Sequence, residues 1–251
     1  VAKISAHALI EQAWQVSADF TTPILGSQPS SSVAVSWVRQ RSIDRKVIEL
    51  KRQGMKPEEA KIEAERVVNE SMGVTDEEME GSEVPVTVFH RDSFGLHLLD
   101  YQLKGAIKEA AKQLRLKVPG QKAAEVNALR FVEGGLWVYP IHSQHGRNIY
   151  FMRDNDFITE EDYVFDRIKR VETPQGPRTS IAASETINPP CSIQFMLVKL
   201  IGYPITFEKH VEPMLAYLSY QGIGQWRGAG HGRVECDVVE LSKAEIKAML
   251  A

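Results

Sequence analysis

Gly222-Ile-Gly224-Gln-Trp226-Arg227-Gly228-Ala-Gly230-His231-Gly232-Arg233 is the stretch on which the fold of this chain turns. Five of its first eleven residues are glycine. Glycine adopts positive φ at little cost and lets a backbone come close to a ligand, with amide N–H groups free to face phosphate oxygens. Arg227 and Arg233 add charge and two-pronged donors, and Trp226 offers a ring on which a base can stack. A dinucleotide-binding fingerprint does not fit: the spacing after the second glycine is off by one, and a strand follows where a helix would have to open. No Walker sequence occurs elsewhere. An ordinary helix-to-strand turn needs fewer glycines. The segment therefore predicts an anion-receiving loop between a helix and a final strand.

The elements on either side extend that pattern. Residues 207–220 predict a helix with Val211, Leu215 and Leu218 inward, and residues 233–241 a strand carrying Val234, Cys236, Val238 and Leu241. Ser242 and Glu245 have the spacing of a capping box for a last short helix. Residues 192–201 read as a strand, as do 14–20, where Trp14, Val16, Ala18 and Phe20 alternate with polar neighbours. Strands are also expected at 85–90, 128–132, 136–141 and 149–153, and a charged loop at 159–184. Residues 98–116 predict a helix with Leu103, Ile107, Ala110, Ala111 and Leu114 inward, beside a stripe of Lys104, Lys108, Lys112 and Arg115. Between the first and second strands, 33–53 and 57–72 read as helices, and Thr75 with Glu78 as the cap of a third. This order predicts an α+β protein: a sheet with helices on one face and a helical insertion after the first strand. The core is expected at 1–32 and 84–251 and the insertion at 33–83.

Composition and charge narrow the function. Of 251 residues, 43% are apolar and 25% charged, which excludes disorder, a collagen-like repeat and a disulfide scaffold. No apolar run approaches the length of a membrane span. Cys191 and Cys236 lie far apart in apolar settings, as buried thiols in a reducing compartment do. The opening residues carry no signal-like pattern, so the expected location is cytoplasmic. Residues 56–83 hold ten acids against three bases; with a net charge of −3 overall, the remainder carries +4. Residues 103–130 hold seven bases and two acids. A basic body with an acidic insertion is compatible with nucleic-acid binding, although charge runs are also the ordinary mark of solvated helix faces.

Four segments, taken in order, resemble the RAMP superfamily, the RNA-binding proteins of CRISPR systems built on ferredoxin-like folds. The Gly-Ile-Gly and Gly-His-Gly pairs of 222–232, with an arginine between them, resemble its glycine-rich loop. Thr21-Thr22-Pro23-Ile24-Leu25-Gly26-Ser27 resembles the turn closing its first strand. Asp100-Tyr-Gln-Leu103-Lys104-Gly105-Ala106-Ile107-Lys108 resembles the helix start of its backbone subunits, with Gln102 where the family usually has a small hydroxylated residue. Pro189-Pro190-Cys191-Ser-Ile193-Gln-Phe195 resembles the start of the strand before the second helix. The likeness covers the frame and omits 33–83 and 142–184.

The resemblance implies a backbone subunit that holds guide RNA by phosphate contacts, assembles along it in several copies, and meets other subunits and target nucleic acid. Lys104, Gly105, Lys108 and Lys112, with Gly222, Gly224, Trp226, Arg227, Gly228, Gly230, His231, Gly232 and Arg233, are then the RNA-binding residues. No cofactor, metal or membrane partner is implied. Processing endoribonucleases of the same superfamily, which use a histidine without metal, are the alternative. For that chemistry His142 and His145 are the candidates, in H-x-x-H spacing beside Arg147 and with no third ligand; His90 and His97 are weaker. A relative that binds another protein through its acidic helices is the alternative of a different class. Of the aromatics Phe131, Trp137, Tyr139, Tyr150 and Phe151, strand alternation turns half toward the core, and Trp14 and Trp37 are expected inside.

Overall fold

Alternation along Ile10–Phe20 makes that segment a strand, β1, whose Trp14, Val16, Ala18 and Phe20 are buried on one face. The computed structural model describes residues 9–72, 86–119, 125–141, 146–173 and 176–249. After β1 come β2 (Ile24–Leu25), β3 (Gln28–Pro29), α1 (Ser31–Arg52), α2 (Pro57–Met72), β4 (Val86–Val88), β5 (His90–Arg91), β6 (Leu96–Leu99) and α3 (Asp100–Gln113). Then follow β7 (Lys117–Pro119), β8 (Glu125–Asn127), α4 (Leu129–Gly135), β9 (Leu136–Pro140), β10 (Asn148–Arg153), β11 (Asp156–Phe157), β12 (Tyr163–Thr173) and β13 (Gly176–Ile187). The chain closes with β14 (Ser192–Leu200), a wide turn at Phe207–Val211, α5 (Glu212–Gln221), β15 (Val234–Glu240) and α6 (Lys243–Met249). The predicted third helix at Thr75 and Glu78 lies outside the described residues. Among the described residues, no helix is long and apolar enough to cross a membrane.

Two compact units form. The first contains Val1–Ser27, Phe89–Val164 and Glu185–Ala251. Its frame is the order β1-α3-β9-β14-α5-β15, with β1 between β15 and β14, and β14 also flanked by β9, every neighbour antiparallel. That is the ferredoxin-like, RRM-like topology, as the resemblance implies. One flank of β14 is shared: β9 pairs with Phe195 to Lys199, and β10 continues on Ser192 and Ile193. On one face of the sheet, Leu103, Ile107, Ala110 and Ala111 of α3 and Met214, Leu215 and Leu218 of α5 close on Phe195, Leu197, Phe151 and Val16. Fully burying a side chain of this size stabilises the fold by about 1.5–3 kcal/mol. On the other face α6 places Ile246 against Ala13, Met196 and Val198. Its start is a reciprocal cap: the Ser242 N–H donates to Glu245 Oε2 at 2.8 Å and the Glu245 N–H to Ser242 Oγ at 3.3 Å.

The second unit contains Gln28–Val88 and Phe165–Ser184. Its α1 and α2 form an antiparallel hairpin around Ile43, Leu50, Ala60, Ala64 and Val68. Gly54, at φ +92°, ends the first arm, and Pro57 opens the second where no intrahelical N–H is needed.

Two expectations are overturned. Residues 128–132, expected as a strand, begin α4. The Asn127 side chain accepts the Leu129 N–H at 2.8 Å, and the Phe131 and Val132 amides donate to Ala128 O at 2.9 Å. Five residues are too few to separate a period of 2 from one of 3.6, so the local cap decided. Residues 159–184, expected as a loop, hold the long paired strands β12 and β13. Tyr163, Val164 and Phe165 run together, and Arg167 is buried while Ile168 is 75% exposed, so apolar and polar residues do not alternate by face.

Candidate nucleic-acid interface

The glycine loop is built first by its own backbone. Gly222, Gly224, Gly230 and Gly232 have φ between +71° and +89°. The Ile223 N–H donates to Gly232 O at 2.7 Å, so the loop closes on itself. A Cβ at Gly222 or Gly232 would collide with the opposing backbone, at His231 O and Ile223 O respectively. Four of the five glycines thus have reasons internal to the fold. Gly228 does not: its φ is ordinary, it is exposed, and a Cβ there meets nothing within 4 Å.

Three of the sequence motifs meet here. The Gly232 N–H donates to Pro23 O at 2.9 Å, the Arg233 N–H to Thr22 Oγ1 at 2.9 Å, and the Thr21 N–H to Arg233 O at 2.9 Å. Gly224 lies over Ile24 and the carbonyl of Leu25. At the far end of the same turn, Gln102 Nε2 donates to Ser27 Oγ at 3.0 Å. Gln102 Oε1 accepts the Leu99 N–H at 2.8 Å. The departure from the family pattern at 102 therefore acts as a helix cap that also fastens α3 to the turn. Arg227 completes the circuit, with Nη2 2.8 Å from Glu109 Oε2 on α3.

The basic stripe of α3 divides. Lys104 is turned inward: Nζ donates to Val132 O at 2.8 Å and lies 5.0 Å from the centroid of Trp137. Burial, reinforced by the like charge of Lys108 and opposed by Glu133, pushes its amine down to about 8. Lys108 pairs with Glu133 at 2.8 Å. Lys112 is exposed. Gly105 is exposed, and a Cβ there meets nothing within 4 Å. At the loop, Trp226 stacks on His231, with centroids 5.3 Å apart and planes 12° apart, and Arg233 is exposed.

Alternation does not sort the aromatics, since Tyr150 and Phe151 are consecutive in β10 and Phe131 lies in α4. Phe151 and Tyr150 are buried and Phe131 packs on the core edge, whereas Trp137 and Tyr139 of β9 are 44% and 37% exposed. Trp14 is buried as expected; no side-chain description extends to Trp37.

A second polar cluster stands at β5 and β6. Asp92 accepts from the amides of Phe94 and Gly95, from Asn148 Nδ2 at 2.8 Å and from Tyr150 Oη at 2.7 Å. Burial raises this carboxyl, but the hydrogen bonds, Tyr150 foremost, overcome it and hold it at about 2. His97 stacks on His90 with centroids 5.7 Å apart. Burial pushes both imidazoles below their ordinary value, and at His90 the charge of His97 adds to it. His142 and His145 lie outside the described residues. Among the described residues, no group of three His, Cys, Asp or Glu side chains is placed to hold a metal ion. Sequence reasoning missed Glu109 as the partner of Arg227 and Gln102 as a cap; for the latter, the i,i+3 spacing to Leu99 was the available signal.

No protein-family model matches this chain, and no curated protein matches it. Among solved structures it is similar to a chain in the cryo-EM structure of the type III-B Cmr-beta complex bound to cognate target RNA. That likeness has 13% identity and a TM-score of 0.43, covering 92% of this chain and 62% of the other. This chain thus spans somewhat under two thirds of that one. It is also similar to a chain of a type IV-B CRISPR complex, with 11% identity and a TM-score of 0.42, covering 90% of each chain. Likenesses at this level assign no function.

Proposed function

We propose that the chain is an RNA-binding subunit of a CRISPR-type ribonucleoprotein, holding guide RNA through phosphate contacts and assembling along it in several copies. Residues 1–32 and 84–251 are its RNA-binding core and 33–83 an inserted interaction element. One observation supports this above others. Gly105 and Gly228 are exposed glycines with open space where a side chain would stand, and neither has a positive φ to demand glycine. A glycine inside a helix costs about 1 kcal/mol relative to alanine. Both lie beside cationic residues, and Glu109, one helical turn after Gly105, holds Arg227 next to Gly228. Close approach of an anionic backbone gives these two positions a use.

The test is the nucleic acid carried by the purified protein and its affinity for short RNA. Uniform short RNA in a multi-copy complex, with binding that falls steeply as salt rises, is the expected result. Arg233→Ala with Lys112→Ala should weaken binding alike for unrelated sequences, since phosphate contacts carry no sequence information. Protein free of RNA that binds none at low salt overturns the proposal. Metal-independent cleavage of a repeat hairpin would replace it with the endonuclease function.

A further inference from the structure

The helical hairpin of the second unit carries two matched outer stripes. At 100° per residue, Arg41, Arg45, Ile48 and Arg52 of α1 fall within about 60° of one another, opposite the Ile43, Val47 and Leu50 that meet α2. On α2, Glu58, Ile62, Glu65 and Asn69 share the same 0, 4, 7, 11 spacing, opposite Ala60 and Ala64. Each stripe is centred on an isoleucine that the fold leaves in water, Ile48 at 53% and Ile62 at 69% exposure. One stripe is basic and the other acidic. The neighbouring pairs Lys46–Glu49 and Arg66–Glu63 lie off them, and none of Arg45, Arg52, Glu58 and Glu65 forms an ion pair with another described residue. Asn69 already accepts from Arg39 Nε at 2.7 Å. A shallow groove lined by Arg45, Ile48, Glu49, Arg52 and Gln53 runs along the basic stripe.

We infer that the basic face of α1 docks on the acidic face of α2 in a second copy of this chain. Run antiparallel, the stripes coincide: Ile48 meets Ile62, Arg52 meets Glu58, and Arg45 meets Glu65. The charge pattern excludes like faces from meeting, because each would oppose its own sign. Both faces look away from the core of their own hairpin, so one copy offers one face in each direction. The contact is head-to-tail and propagates into an open chain instead of closing into a two-fold dimer. It rests on the proposed multi-copy assembly along RNA, for which it names the joining surface.

The test mixes two full-length variants, Ile48→Cys and Ile62→Cys, under mild oxidation, with and without RNA. The native thiols do not compete: burial pushes Cys191 and Cys236 up to about 12. Cross-linked dimer should form in the mixture at least tenfold faster than in either variant alone. Adding Arg45→Glu and Arg52→Glu to the first variant should abolish it. Adding Glu58→Arg and Glu65→Arg to the second should restore it. Equal cross-linking of like with like, or no restoration by the charge swap, overturns the contact. Should a reversed-charge variant fail to fold by circular dichroism, the salt dependence of the original pair decides: cross-linking unchanged between about 0.05 and 0.5 M salt overturns the contact. RNA affinity measured on the same proteins separates the two proposals. RNA binding without specific cross-linking removes this contact alone; specific cross-linking without RNA binding leaves the contact and removes the RNA function.

Discussion

Gly105→Ala places one methyl group on the exposed side of α3. Nothing lies within 4 Å of a Cβ built there, so no side chain has to move. Alanine is better than glycine in a helix interior by about 1 kcal/mol. In a chain of this length that raises the midpoint of thermal unfolding by about 2–4 °C. Binding should move the other way. If an RNA phosphate approaches the helix at this open position, the methyl group displaces it and weakens one charge-assisted contact, worth about 1.5–3 kcal/mol. The variant is then more stable than the parent and binds RNA about ten- to a hundredfold more weakly. Differential scanning fluorimetry gives the first quantity. Fluorescence anisotropy with a labelled oligoribonucleotide at two salt concentrations gives the second. A raised midpoint with unchanged affinity would show that RNA does not pass over α3 at Gly105. A lowered midpoint would refute the helix-propensity reasoning itself.

Gly232→Ala forces a Cβ onto the carbonyl of Ile223 at φ +71°, so it should abolish folding or cost several kcal/mol; Gly228→Ala, with free space, should leave thermal unfolding within about 1 °C and act only on RNA affinity. The Lys104 amine should titrate near 8, apart from the exposed lysines, when followed by NMR of isotopically methylated protein. Titration together with the other lysines would remove the buried contact with Val132. For His90 and His97 the folded value lies below the ordinary 6.5, so the unfolded chain binds more protons and stability falls as pH drops below about 7. His90→Phe should flatten that fall in melts between pH 7 and 5.5, and an unchanged slope would exclude the pair as its source. Tyr150→Phe removes the hydrogen bond to Asp92 and should cost about 1.5 kcal/mol at pH 7, a penalty that fades as pH drops through 4 toward 2.

β1 was legible because Trp14 to Phe20 alternate, and β14, buried on both faces, because Phe195 to Val198 form an apolar run. The two helices of the first unit were legible from their apolar spacing, and α6 from its Ser242 and Glu245 cap. What escaped carried no clean hydrophobic period. β12 buries Arg167 and exposes Ile168, which breaks the period-2 signal, and α4 is set by Asn127 in a window too short for periodicity. In the candidate site, the glycines announced an unusual loop, but which of them serve the fold depends on approach to Ile223, His231 and Leu25. The inward turn of Lys104 depends on Val132 and Trp137, about thirty positions along the chain. Periodicity reports which side of a helix is wet and is silent on which neighbour the helix leans against.

The pairing of β1 has a consequence for synthesis. This strand leaves the ribosome well before its two neighbours, β14 and β15. At about 5–20 residues per second, some 180 residues of waiting amount to roughly 10–40 s. During that interval an alternating apolar strand stands with both edges open, a template for pairing with another nascent chain. A chain truncated before β14 keeps that hazard permanently. Its fate should be aggregation or capture by a chaperone, whereas one truncated within α6 has already closed both edges.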